Sequence, residues 1–238
     1  MNKIPLLVTI LVLIGNAFSG QGNKTVSDFH NLTITPSGRT FSIWGIIYTG
    51  LLFVSYKYNK AFDKVQNLYI LSGVLNLLWL NVFLKCSKNR ETKHNHVAWS
   101  SLVLIGITVT LYLIVSKLDS SNVQMTTVFG IYSAWTIVAS MLNISIAMKE
   151  KELITDCQIE NSLLSAISIA PSIVLGLSGN TSVKNNLAYP ITWLWASIGI
   201  YTNNNKIKNA IYPIVSNIFA IIIIAYKNNI LSVLNNLF

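Results

Sequence analysis

Charged residues are scarce in this sequence, and their scarcity decides its broad class. Only 11% of the 238 residues are charged, whereas a soluble domain carries about 25%. Hydrophobic residues make up 52% of the chain, and the mean hydropathy is +0.53. The composition excludes an ordinary water-facing surface and indicates a helical protein that crosses a membrane several times.

The apolar runs also lack the residue types on which most membrane chemistry depends. None has Asp, Glu, Lys, Arg or His in its middle, which argues against a proton-coupled pump, a voltage sensor or a redox-metal enzyme. No nucleophile–base pair and no glycine-rich phosphate loop is present. His94 and His96 form an H-x-H pair without a carboxylate or cysteine at a fitting spacing, so we interpret them as a solvated loop. Neither a metal nor a required cofactor is predicted.

Cysteine is almost absent, and the two that exist fit no redox or metal motif. We expect Cys86 and Cys157 to be reduced thiols, with a disulfide between them as the alternative. The net charge of +9 comes from residues in loops that flank the apolar runs. We therefore predict that anionic lipid head groups, and no nucleic acid, are its counter-charge.

Eight apolar segments approach the roughly 20 residues that a bilayer requires. None alternates as a β-barrel strand does, so the predicted fold class is all-α and polytopic in the membrane. The predicted spans are 4–19, 41–56, 66–84, 97–116, 123–148, 160–178, 187–201 and 209–226.

Charge clusters and turn residues divide the chain further. Residues 149–160 hold four of the eight acids, which places a boundary between a five-span unit, 1–148, and a three-span C-terminal unit, 149–238. Residues 20–40 are polar and rich in turn formers, which predicts a loop that either caps a pocket or only connects two spans. The first segment is interpreted as a retained helix, with a cleavable signal peptide as the alternative.

Three of the predicted spans carry aromatic and amide residues at helical spacing. Positions i, i+3 and i+7 share one face of a helix, so each set forms a stripe. The stripes are Phe41, Trp44 and Tyr48; Asn76, Trp79 and Phe83; and Tyr132, Trp135, Ala139 and Asn143. Together they predict an uncharged pocket for a flat, mostly apolar molecule within the membrane.

Helix packing is the alternative interpretation of the same residues. A buried amide in a membrane must find a partner, and Asn side chains often bond one helix to another. The seventh span holds Trp193 and Trp195, which point to different sides of a helix, so at most one faces the interior.

The three stripes resemble the motifs of the TspO/translocator family, the tryptophan-rich sensory proteins. The first reads "PSGRTFSIWGIIY", with the family's W-x-x-x-Y. The second reads "LNLLWLNVF", with L-N-x-x-W followed by Phe. The third reads "YSAWTIVASMLN", with Y-x-x-W-x-x-x-A-x-x-L-N. These motifs cover about the first 150 residues, and "AYPITWLWASIGIY" is similar to the seventh helix of longer members of the family.

The resemblance implies a five-helix bundle with a pocket under its first loop, plus about three further transmembrane helices. It implies that the ten stripe residues bind a porphyrin, a haem-like tetrapyrrole or another hydrophobic small molecule, and that the protein forms a homodimer, as many members do. Ser42 and Ile43 stand where the family often has a Pro before its Trp. Ile144 and Ser145 follow the last Asn in place of a Tyr, which makes a sterol a less favoured ligand.

Four functions remain open at the level of sequence. The leading hypothesis is a membrane-embedded binding or sensory protein. A passive transporter of the same molecules is the second, and an enzyme that degrades porphyrin is the third. The fourth is a role in assembly without a ligand, in which the aromatic stripes only pack helices together.

Overall fold

The computed structural model describes residues 3–30, 32–86, 93–177, 179–203 and 207–235. Within these ranges it contains α-helices, two short 3-10 turns and no strand, so the all-α prediction is confirmed. The helices are α1 (Ile4–Phe29), α2 (Ile43–Lys57), α3 (Asn59–Phe62), α4 (Gln66–Lys85), α5 (Lys93–Lys117), α6 (Val123–Glu150), α7 (Asp156–Leu177), α8 (Thr181–Lys184), α9 (Ala188–Asn203) and α10 (Ile211–Asn235). The 3-10 turns are Gly38–Ser42 and Lys208–Ala210.

Five of these helices are long and apolar enough to cross a membrane. They are α1, α4, the stretch His96–Lys117 of α5, α6, and the stretch Lys208–Asn229 that contains most of α10. The chain is thus an integral, multi-pass membrane protein. The remaining predicted spans form α2, α7 and α9, of 15, 22 and 16 residues, and their crossing of the membrane stays a prediction.

Helix α1 is longer than the sequence pattern indicates. The prediction of a loop over 20–40 is wrong for residues 20–29, which continue α1 without a break. Lys24 and Asp28 form an i,i+4 ion pair of 2.6 Å, and the Thr25 hydroxyl donates to the Gln21 carbonyl. These local bonds and the packing of α1 on its neighbour override the turn preference of Gly and Asn.

Glycines let α1 and α4 approach closely. A Cβ at Gly15 would lie 2.5 Å from Leu77 Cδ2, and one at Gly22 would lie 2.5 Å from Leu84 Cδ2. The two glycines are seven residues apart and share one face of α1. Small residues at such spacing are the usual means by which membrane helices bring their backbones together. Large apolar side chains elsewhere on α1 are exposed, with Phe18 at 88% exposure.

Helix α6 lies at the centre of the molecule. It contacts α2, α5, α7 and α9, and its buried residues surround its whole circumference. The C-terminal helices pack on one another, on α6 through α7 and α9, and on α5 through α8. The boundary predicted at residue 148 stays a prediction, and contacts cross it.

The two cysteines are unpaired in the structure. Cys86 is buried at the end of α4, whereas Cys157 is exposed at the start of α7. Burial, with the nearby Glu150 carboxylate, raises the pKa of the Cys86 thiol to about 12. The predicted H-x-H pair cannot be compared, because the side chain of His94 lies outside the described residues.

Candidate functional site

A cavity of about 860 Å³ lies between α1, α2, α4 and α6, toward the end of the bundle where α1 finishes. Side chains of these four helices form most of its lining, and the last turns of α1 with residues 35–38 cap it. The lining residues are Leu13, Ile14, Asn16, Ala17, Gly20, Asn23, Lys24, Ser27, Asp28, His30, Thr35, Pro36, Gly38, Phe41, Trp44, Tyr48, Trp79, Phe83, Trp135, Ala139, Leu142, Asn143, Ile146 and Asn203. All of the predicted stripe residues except Asn76 and Tyr132 are among them.

One wall of the cavity is an aromatic cluster that joins α2 to α6. Trp44 and Tyr48 stack at 5.5 Å with an interplanar angle of 22°. Trp135 meets Phe41 edge-on at 5.6 Å and Trp44 at 6.3 Å. Edge-to-face and offset-stacked rings hold one another with about 0.5–1.5 kcal/mol per pair beyond their burial. The cluster is therefore a pre-formed surface for a further ring.

A second pair of lining rings comes from α4. Trp79 and Phe83, one helical turn apart, stack at 4.9 Å with an interplanar angle of 20°. Both are more than nine-tenths buried, at 8% exposure each. Rings from α4 thus line the same cavity as the rings from α2 and α6.

Asn76 and Tyr132 lie behind the cavity and hold its helices together. The Asn16 amide donates to Asn76 Oδ1 at 2.8 Å, and Asn76 Nδ2 donates to the Tyr132 hydroxyl at 3.0 Å. The chain of bonds crosses from α1 through α4 to α6. Both polar atoms of Asn76 are engaged by protein partners, which is the helix-bridging arrangement. Asn16, which is not one of the stripe residues, lines the cavity.

Asn143 lines the cavity, but its amide also has protein partners. Its Nδ2 donates to the Ala139 carbonyl at 3.0 Å, and its Oδ1 accepts from the Ser100 hydroxyl at 3.1 Å. The side chain thereby joins α5 to α6 as well as bordering the cavity.

Three polar atoms at the cavity are buried and lack a hydrogen-bond partner among the described residues. Two are indole N–H donors, Nε1 of Trp79 and Nε1 of Trp135, and the third is the acceptor Asn23 Oδ1. Buried polar groups are nearly always bonded, and a buried group without a partner costs about 1–3 kcal/mol. All three belong to residues that line the cavity, although the atoms themselves have almost no accessible surface.

The titratable residues near the cavity are engaged with one another. Lys24 pairs with Asp28 at the exposed rim. His30 Nδ1 lies 2.9 Å from Glu150 Oε1, with side-chain exposures of 5% and 11%. This second pair ties the end of α1 to the end of α6 beside the cavity. The sequence pattern missed it, because the two residues lie far apart in the chain and beyond the apolar runs.

The second half of α1 was also missed by the sequence analysis. Beyond the predicted span 4–19, α1 contributes to the cavity lining the residues Gly20, Asn23, Lys24, Ser27 and Asp28. The seven-residue spacing of Gly15 and Gly22, which both pack on α4, is the feature of the sequence that could have indicated a helix continuing into the polar region.

The fold and the cavity define a class, that of multi-pass helical membrane proteins with an aromatic-walled cavity inside the bundle. The comparison with family models makes the assignment specific. The sequence matches the model described as TSPO-like protein over residues 2–228, and the chain belongs to that family. Neither the comparison with curated proteins nor that with solved structures returned a match. The family match includes the C-terminal helices, so it extends well past the three motifs recognised in the sequence.

Proposed function

We propose that the protein binds a flat, mostly apolar ring molecule of the tetrapyrrole class in this cavity. The observation that carries the proposal is the set of aromatic side chains from α2, α4 and α6 that line about 860 Å³ of space. Small-molecule sites in proteins typically have volumes of about 300–1,000 Å³ and are lined by apolar and aromatic side chains with a few polar groups. A planar ligand between the walls would stack on Trp44 and Trp79 and displace little structure.

The unpartnered polar atoms support a ligand with a polar edge. The indole N–H groups of Trp79 and Trp135 would donate to an acceptor such as a carboxylate or carbonyl oxygen. Asn23 Oδ1 would accept from a donor on the ligand. A tetrapyrrole has both a ring of this size and carboxylate substituents, whereas a sterol offers fewer acceptors.

The other half of the bundle favours binding over passage through the protein. There Thr9 bonds to Ser55 at 3.0 Å and to the Tyr69 hydroxyl at 2.7 Å. The rings of Phe62 and Phe129 pack beside these groups, with their centroids 6.0 Å apart. All five side chains are at most 2% exposed. A molecule that crossed the bundle would have to break this layer, so transport is the second candidate.

Enzymatic breakdown of the ligand receives less support. Among the described lining residues the charged side chains are paired, Lys24 with Asp28 and His30 with Glu150. In the described lining, no serine or cysteine side chain is hydrogen-bonded to a base. General acid–base and nucleophilic catalysis require such a contact.

A titration with protoporphyrin IX tests the proposal. Purified protein in detergent is titrated, and binding is followed by quenching of Trp fluorescence and by the Soret absorbance of the ligand. Trp135→Ala removes a ring from the cavity wall, and the matched control Trp99→Ala removes a ring that is 60% exposed and outside the cavity lining.

Saturable binding that weakens at least tenfold in Trp135→Ala and is unchanged in Trp99→Ala supports the proposal. Because Trp135 is 1% exposed, its loss could also unfold the protein. Ala139→Leu is therefore included, since it fills the cavity without removing a packed ring. Absence of saturable binding in folded wild-type protein, or equal loss in the control, would refute the proposal.

A further inference from the structure

The segment that caps the cavity is bonded to a helix from the other end of the chain. Trp195 Nε1 of α9 donates to the Thr40 carbonyl at 2.8 Å, and Asn203 Nδ2 donates to the Thr35 carbonyl at 2.9 Å. The Ser37 amide donates to the Gly199 carbonyl at 3.0 Å. Each bond uses a main-chain atom of residues 35–40, so α9 holds the backbone of this segment.

Gly199 makes the approach of the two elements possible. A Cβ at this position would lie 2.1 Å from Thr40 Oγ1 and 2.7 Å from Thr40 Cγ2. Thr40 is 3% exposed, and its hydroxyl is bonded to the Ser37 hydroxyl at 2.9 Å. The side chain of Thr40 therefore cannot turn aside easily, and any residue larger than glycine at 199 must displace the segment.

The same segment forms part of the cavity. Thr35, Pro36, Gly38 and Phe41 line it from above, and Asn203 of α9 borders it too. The segment thus borders the cavity and is bonded to α9 at the same time. A shift of the segment away from α9 would consequently change the opening and the shape of the cavity.

Helix α9 is itself fixed to the central helix. Trp193 Nε1 donates to the Ala134 carbonyl at 3.1 Å, and the Tyr189 hydroxyl donates to Ser133 Oγ at 3.2 Å. Trp193 and Tyr189 are at most 1% exposed. The tie thus runs from α6 through α9 to the cap, and it gives the capping segment a rigid support.

We infer that α9 holds residues 35–42 over the cavity and thereby sets how fast a ligand enters and leaves it. Trp195, Gly199 and Asn203 are positioning residues in this account, since they act through the cap. The kinetic half of the inference rests on the proposed binding function. The structural half, that α9 holds the cap, concerns the ligand-free protein and is independent of it.

The experiment compares full-length variants with matched controls in two measurements. Gly199→Ala adds a Cβ against Thr40, and Gly45→Ala adds one where no heavy atom lies within 4 Å. Trp195→Phe removes the indole N–H that bonds to the cap, and Trp99→Phe makes the same change on an exposed side chain. Hydrogen exchange of residues 35–42 is measured without ligand, and protoporphyrin IX dissociation is followed by stopped-flow Soret absorbance.

We expect Gly199→Ala and Trp195→Phe to accelerate exchange of the Ser37 amide and to raise the dissociation rate of protoporphyrin IX roughly fivefold, the effect of one lost hydrogen bond. Both controls should match the wild type. Unchanged exchange in both variants would overturn the inference, and faster exchange with unchanged dissociation would overturn its kinetic half. If the wild type binds no protoporphyrin IX, the proposed function fails, while the exchange data still decide whether α9 holds the cap.

Discussion

Two faces of helix α6 differ in how tightly they are packed. The face toward the cavity carries Trp135, Ala139 and Asn143, and about 860 Å³ remain open beside them. The face toward α9 carries Gly130, Ser133 and Ala134, and there a Cβ on Gly130 would lie 2.6 Å from Asn186 Nδ2 and 2.9 Å from Ala188 Cβ.

The difference shows how one helix can pack closely on one face and border a cavity on another. Small residues let helix backbones approach closely and leave no cavity between them, as is usual between membrane helices. Large rigid rings that brace one another, as Trp44 and Trp135 do at 6.3 Å, keep helices apart and leave a gap between them. The cavity therefore follows from where the large residues stand on α6.

The largest expected effect comes from adding volume to the closed face. Gly130→Leu must push Asn186 away from the Thr126 carbonyl, to which its Nδ2 donates at 2.7 Å. We expect a loss of about 3 kcal/mol in the free energy of unfolding, at the upper end of typical overpacking costs. Unfolding by SDS titration in mixed micelles measures it. A variant as stable as the wild type would contradict the tight packing of α6 against α9.

A leucine introduced on the cavity face of α6 should weaken ligand binding and leave the stability of the protein nearly unchanged. Ala139→Leu places its side chain in the cavity, so we expect the free energy of unfolding to change by no more than about 0.5 kcal/mol, as at an unconstrained position. Protoporphyrin IX affinity should fall about tenfold, which corresponds to about 1.4 kcal/mol. Equal affinity for both proteins in the titration would place the ligand elsewhere.

A smaller effect is expected behind the cavity. Asn76→Leu breaks the bonds from Asn16 and to Tyr132. At about 0.6 kcal/mol for each hydrogen bond between membrane helices, the loss of stability should be about 1 kcal/mol. Asn81→Leu is the control, since Asn81 is exposed on the same helix. If SDS unfolding ranks the two variants equally, the bridging role of Asn76 is wrong.

The smallest effect is expected at the rim of the cavity. Lys24→Ala removes an ion pair whose side chains are 77% and 64% exposed. Exposed i,i+4 pairs contribute only about 0.3–0.5 kcal/mol, so unfolding should shift by that amount at low salt and by less at high salt. A large, salt-independent loss would show that Lys24 supports the cavity in another way.

Much of this arrangement could be predicted from the sequence because it is local. The positions of Trp44, Trp79 and Trp135 on helix faces follow from helical periodicity and motif spacing alone. Trp193 and Trp195 were expected to point to different sides, and the first is 1% exposed while the second is 42% exposed. Periodicity thus separated the buried Trp193 from the exposed Trp195.

The rest depends on contacts that no local pattern contains. Asn76 was placed on the cavity face, but Asn16 from α1 meets its amide and occupies the space in front of it. Residues 20–29 have loop composition, yet packing of Gly22 on Leu84 keeps them helical. The pairing of His30 with Glu150 and of Trp195 with Thr40 joins residues more than a hundred positions apart.

The central claim is that a planar ligand lies between the aromatic walls of α2, α4 and α6. The most direct measurement is an experimental structure of the full-length protein in lipid nanodiscs with bound protoporphyrin IX. The account predicts ligand density between Trp44, Trp79 and Trp135, beneath the segment held by α9. Density only at the lipid-facing surface, with the cavity empty, would contradict it.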